Sequence, residues 1–93
     1  MALTGKEKRS LRSEANHLKP EVWIGKEGIG KGTLQTLENS FQTKELVKIK
    51  LLESSPQEKE EAARELSAAA GAEIVQILGN TILLFRPLPE ETP

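Results

Sequence analysis

The chain of 93 residues contains no cysteine, no tyrosine and no aspartate, and it carries one histidine, one tryptophan and two phenylalanines. Without cysteine there is no disulfide framework, thiol nucleophile or thiolate metal site. A lone histidine, His17, cannot build a multi-histidine zinc centre within one chain. All fourteen acidic residues are glutamate, so a Ser-His-Asp triad lacks its third member unless a glutamate takes that place. Paired glutamates for glycoside hydrolysis stay formally open, but the glutamates fall where helix starts and solvated faces put them. Long apolar runs are missing too, leaving no segment able to span a bilayer. The stretch from Met1 to Lys6 passes directly into charged residues with no apolar signal core. These absences lead us to expect a cytoplasmic protein that is not an enzyme, with no metal, no cofactor and no small-molecule substrate.

What is present suffices for one modest core, since hydrophobic residues make up 37% of the chain and the length allows one domain but not two. Net charge is −1, yet residues 1–50 hold ten Lys/Arg against six Glu, and residues 51–93 hold three against eight. A basic half beside an acidic half suggests a side that faces a polyanion, although solvated helix faces would divide the charge in the same way.

Thr4-Gly5-Lys6-Glu7 reads as a capping box opening a helix to about Asn16. Its apolar stripe, Leu11, Ala15 and then Leu18, is thin, and Lys6, Lys8, Arg9 and Arg12 occupy the rest. Pro20 ends that helix. Glu21 to Ile24 is a short strand, and Gly25 to Gly32 then holds four of the seven glycines. A second helix to about Gln42 carries Leu34, Leu37 and Phe41 on one face. From Glu45 to Leu51 the pattern alternates, with Val47, Ile49 and Leu51 inward and Lys48 and Lys50 toward solvent. Ser55-Pro56-Gln57-Glu58 combines a second capping box with proline at the first helical position. The third helix places Ala63, Leu66, Ala69 and Ala70 on one face and stops at Gly71. Two strands, about residues 72–78 and 81–86, are joined by Gly79-Asn80, the residues of a two-residue hairpin. The order α-β-α-β-α-β-β predicts an α/β two-layer sandwich with a mixed four-stranded sheet and both crossover helices on one face. Residues 1–87 form one domain in this reading, and 88–93 a disordered acidic tail.

The glycine-rich turn between strand and helix is suited to an anion, because glycine admits close approach and helix N-terminal N–H groups favour negative charge. Gly25 to Lys31 fits seven positions of the P-loop pattern, but Gly32 stands where the Mg²⁺-binding hydroxyl belongs. The dinucleotide pattern G-x-G-x-x-G does not occur. What remains is Gly25-Lys26-Glu27-Gly28, a G-x-x-G loop of the type that clamps a nucleic-acid backbone. A tight turn needing positive φ would use the same residues. Lys26 within the loop, Lys31 one turn beyond, and Lys48 and Lys50 on the next strand would supply phosphate attraction.

Thr4 to Lys8, Asn16-His17-Leu18-Lys19-Pro20, Ile24 to Gly28, Glu45 to Lys50, Val75 to Gly79 and Leu84-Phe85-Arg86-Pro87 together resemble, in order and spacing, the CRM domain family (chloroplast RNA splicing and ribosome maturation). In length the chain is similar to the bacterial YhbY-like single-domain members. The resemblance covers about residues 3–87. It implies a fold similar to the C-terminal domain of translation initiation factor three, and RNA binding rather than catalysis. It implies contact through Gly25, Lys26, Glu27, Gly28 and Lys31, through Lys48 and Lys50, and through Lys6, Arg9 and Arg12 of the first helix. The partners it implies are ribosomal RNA and the precursor of the large ribosomal subunit, met by a monomer. Three positions depart from the family pattern: acidic Glu27 in the loop, the acidic tail, and Phe85 where tyrosine is common. Binding to generic RNA is therefore expected in the weak, non-specific regime.

Other readings compete for some residues. His17 would finish the first helix by bonding its last carbonyls more readily than contact RNA. Trp23 would stack on a base or pack against the first helix, and it is left outside the site. The acidic half and the alanine-rich third helix define a different class of function, a module binding a basic ribosomal protein.

Overall fold

The computed structural model describes residues 3–88. Its elements are α1 (Gly5–Ala15), β1 (Val22–Ile24), α2 (Lys31–Thr43), β2 (Leu46–Leu51), α3 (Lys59–Ala70), β3 (Glu73–Leu78) and β4 (Thr81–Phe85), in the order expected. The strands form one mixed sheet ordered β1-β2-β4-β3. β1 is parallel to β2, as a strand–helix–strand crossover requires, and β4 is antiparallel to both β2 and β3. The closing hairpin thus inserts β4 between β2 and β3. Its turn places Gly79 at φ 58°, a conformation that favours glycine. The acidic tail expected at the C-terminus lies, from residue 89 onward, outside the described residues.

Alternation along the strands divides the molecule. On one face Val22, Ile24, Val47, Ile49, Ile82 and Leu84 are buried beneath Leu37 and Phe41 of α2 and Ala62, Ala63 and Leu66 of α3. On the other face a smaller cluster joins Leu46, Val75 and Leu83 to Ala15 of α1, with Leu3, Leu11, Leu18 and Phe85 half-buried around it. A register shift between Ile74 and Gln76 turns Val75 toward this second cluster. The sheet with its α2–α3 layer makes the α/β sandwich. α1 adds a partial cover on the opposite side.

Two local expectations fail. The third helix begins at Lys59, not at Pro56, and its N-cap Glu58 makes no side-chain capping bond. Ser55 Oγ instead accepts from the Gln57 backbone N–H at 3.4 Å, a local turn that competes with the capping geometry. Glu60 and Glu61 in the first turn still favour the helix dipole. Ala69 is exposed, and Ala62 takes its place in the core because the buried face is rotated by about one residue.

Arg86 fastens the closed side. Its guanidinium donates from Nη1 and Nη2 to the two Glu38 carboxylate oxygens at 2.8 Å each, and from Nη1 to the Ala70 carbonyl at 3.0 Å. Its Cζ lies 5.0 Å from the Phe41 ring centroid. One side chain thus joins α2, the last turn of α3 and the end of β4. The paired guanidinium holds the Glu38 carboxyl below its ordinary range, and the carboxylate raises Arg86.

Candidate nucleic-acid interface

The glycine-rich loop is a β-turn. The Gly28 backbone N–H donates to the Gly25 carbonyl at 3.0 Å, leaving Lys26 and Glu27 exposed at the two corners. Gly28 has φ 71°, and a Cβ there would come within 3.3 Å of Pro56 Cγ. The positive φ favours glycine at this position, and the close approach of Pro56 tightens the preference. At Gly25 an added Cβ would meet only Leu52 Cδ1 at 3.6 Å and Ser54 Oγ at 3.8 Å, ordinary contacts. The G-x-x-G spacing therefore has a structural cause at its second glycine. Replacing Gly28 strains the fold, so Lys26 is the clean position at which to probe the loop.

The helix that follows differs from its two companions at the N-terminus. α1 has a complete capping box, with Thr4 Oγ1 accepting from the Glu7 N–H at 3.1 Å and Glu7 Oε1 accepting from the Thr4 N–H at 2.9 Å. These bonds lower the Glu7 pKa. α3 carries two glutamates in its first turn. The N-cap of α2 is Gly30, which has no side chain to cap with, and the first turn of α2 contains no acid. Lys31 is there instead, and the Gly30 N–H donates to Thr33 Oγ1 at 3.2 Å. The start of α2 thus combines N–H groups without a side-chain cap, an exposed cation and a neighbouring lysine-bearing turn, a combination suited to a phosphate.

The remaining cations do not act as one group. Lys48 is not the solvent-facing partner of Lys50 that the alternation suggested. It is half-buried, and its Nζ donates to the Ala15 carbonyl at 3.1 Å and the Leu18 carbonyl at 3.3 Å. Lys48 therefore closes the C-terminal end of α1, the role expected of His17. The His17 side chain is exposed instead, and only its backbone N–H bonds, to the Glu14 carbonyl at 3.2 Å. Lys50 is exposed. Arg12 borders a cleft between α1 and the sheet that also touches Asn16, Gln76 and Thr81. Lys6 and Arg9 are exposed on α1, which packs on β2 and β3, whereas the turn is carried by β1 and α2.

Trp23 does not pack against the first helix. It is 53% exposed, between buried Val22 and Ile24, and its partner across the ladder is Lys50. On a strand, a residue between two core residues points to the opposite face, so buried Val22 and Ile24 turn Trp23 to the α1 side of the sheet. Among the described residues, no cluster of three or more His, Cys, Asp or Glu is placed to hold a metal, and no helix is long and apolar enough to cross a membrane.

Comparison with known proteins bears on this arrangement. The family model described as the CRS1 / YhbY (CRM) domain matches residues 3–86. The chain is 35% identical over 88 residues to the Bacillus subtilis "probable RNA-binding protein YqeI", covering 95% of this chain and 92% of that protein. It is 41% identical over 87 residues to a Methanocaldococcus jannaschii protein also named a probable RNA-binding protein, covering 91% of this chain and 64% of that longer one. A solution structure of a Staphylococcus aureus protein, described as a candidate RNA binder, matches with TM-score 0.81 at 36% identity, over 98% of this chain and 95% of that one.

Proposed function

The chain belongs to the CRS1/YhbY (CRM) domain family, and from that premise we propose that it is an RNA-binding protein that holds the RNA backbone against the Gly25–Gly28 turn and the start of α2. The observation carrying this reading is the α2 N-terminus: of the three helix starts, it alone lacks both a side-chain cap and first-turn acid, and it carries exposed Lys31 shortly after the turn that carries exposed Lys26. Relatives named as RNA-binding support the ligand class. The family resemblance extends the proposal to ribosomal RNA in the assembling large subunit, with the protein acting in the cytoplasm as a monomer and without catalysis.

In mechanism, Lys26 and Lys31 neutralise phosphates as the turn's backbone and the α2 N–H groups approach them, giving attraction that does not depend on sequence. Lys50 and Arg12 extend the cationic side toward α1. Lys48 is absent from this list because its ammonium is engaged by α1. Glu27 at the turn's second corner keeps affinity moderate, and the glutamates exposed on α3 repel RNA from the far side.

The test is fluorescence anisotropy of a labelled ribosomal RNA fragment with wild type and Lys26→Glu/Lys31→Glu. Affinity in the variant should fall at least tenfold at low salt. Equal affinity in a folded variant would contradict the reading. Capture of a basic ribosomal protein that ignores both reversals would support the interaction-module alternative.

A further inference from the structure

One row of the sheet runs across all four strands with three of its four residues exposed. Strand register aligns Trp23 with Lys50, Lys50 with Thr81, and Thr81 with Leu78. Three strand spacings make this row about 14 Å long. Trp23 and Leu78, its two ends, are 53% and 66% exposed. α1 covers the neighbouring rows through Ala15, Leu46, Val75 and Leu83 and stops short of this one. The row lies where the parallel strands β1 and β2 end, the same end of the sheet from which the Gly25–Gly28 turn departs. Trp23 also borders Gly32 and Thr33 in the first turn of α2, so a single strand held at the turn has the indole as its next neighbour.

Charge selects the occupant. Lys50 stands in the row, and Arg12 borders the adjoining cleft of about 110 Å³, whose lining contains no carboxylate among the described residues. The carboxylate nearest Trp23 along the chain, Glu21, is tied to Lys44 at 2.8 Å. On the other side of the β3–β4 hairpin, Glu53 and Glu58 outnumber Lys59 in the cleft beside Asn80, which leaves it net negative. A polyanion at this end of the sheet is thus repelled from the α3 side and drawn to the α1 side. An exposed indole beside an exposed lysine is the pairing that single-stranded nucleic acid uses, the ring taking a base and the cation its phosphate.

We propose that Trp23 is a base-stacking platform and that Lys50 and Arg12 guide a single-stranded RNA segment across the open row from the Gly25–Gly28 turn. The proposal rests on the RNA-binding reading and adds that bases, as well as phosphates, contribute to binding. Because Trp23 is the one tryptophan of the chain, its emission reports directly on the platform. The experiment titrates wild type, Trp23→Ala and Trp23→Phe with an end-labelled ten-nucleotide oligoadenylate and with an abasic ribose-phosphate oligomer of equal length, reading label anisotropy and Trp23 emission together. Oligoadenylate should quench Trp23, and Trp23→Ala should bind it roughly tenfold more weakly while Trp23→Phe stays close to wild type. The abasic oligomer should bind wild type and Trp23→Ala alike, without quenching. Melting curves should be the same for the three proteins, since the side chain is half in solvent. Bound oligoadenylate that leaves Trp23 emission unmoved, with Trp23→Ala equal to wild type, would overturn the platform and leave the RNA reading standing. No anisotropy change with either oligomer at low salt would overturn both. Sedimentation showing a dimer that Trp23→Ala dissolves would assign the row to self-association and overturn the proposal.

Discussion

The two faces of the sheet differ in how completely they are covered. On the α2–α3 side, core residues from three strands and two helices are sealed, and the edge is fastened by Arg86 to Glu38 and Ala70. On the α1 side an eleven-residue helix covers the rows around Leu46 and Leu83 and leaves Trp23, Lys50 and Leu78 exposed, with Thr81 half-buried among them. A small domain needs only one well-filled face to meet the entropy of folding. The second face is then free to carry contacts, provided the helix lying on it is held in place. Lys48 does this holding, its ammonium bonded to the Ala15 carbonyl that ends α1 and to the Leu18 carbonyl just beyond it.

The comparison can be broken at its strongest point first. Leu66→Ala, at a fully buried position of the closed face, should cost about 3 kcal/mol in urea unfolding. Thr81→Ala in the open row should stay within about 0.5 kcal/mol. Equal losses would mean that the open row is part of the core. A narrower comparison sets Lys48 against Lys50, two residues apart on β2. Lys48→Ala should destabilise by about 1 kcal/mol through the lost carbonyl bonds. Lys50→Ala should leave stability unchanged and make the salt dependence of RNA binding shallower by about one phosphate contact. If the two exchange roles, the assignment of Lys48 to α1 is wrong.

The smallest effect concerns the fastening on the closed side. Arg86 lowers the Glu38 pKa from 4.5, so the contribution of this pair is complete above the unfolded-state value and is lost as pH falls through the lower folded-state value. Thermal melts of wild type and Glu38→Gln should differ at neutral pH, with the variant lower, and should converge as pH falls through the lowered folded-state value. A difference that persists into acid would show that the carboxylate's charge does not matter there.

Much of the fold was legible because it is written in short-range pattern. The Thr4–Glu7 capping box, the alternation around Val47, Ile49 and Leu51, and the Gly79-Asn80 turn each depend on residues within a few positions of one another. Those elements and their order agree with the structure. The side-chain partners that stayed hidden have a different origin. Lys48 meets the Ala15 and Leu18 carbonyls across 33 and 30 residues, and Arg86 meets Glu38 across 48, distances at which local pattern is silent. A lysine alternating with core residues reads as solvated until the helix it caps is set over it. Within the candidate site, the exposed placement of Lys26 on the turn and Lys31 at the start of α2 was legible. It was illegible at Trp23, because a three-residue strand with an indole in the middle fits either a packed or an open face until the reach of α1 is known.

The most direct measurement is a residue-resolved map of amide chemical shifts as a short single-stranded RNA is added to the ¹⁵N-labelled protein. Shifts should concentrate at residues 25–31, at the Trp23 indole N–H, and at Lys50, Thr81 and Leu78, while Glu38, Arg86 and the outward side of α3 stay still. A footprint centred on α3, or one confined to Glu38, Ala69 and Arg86 on the closed side, would contradict the division of labour between the two faces.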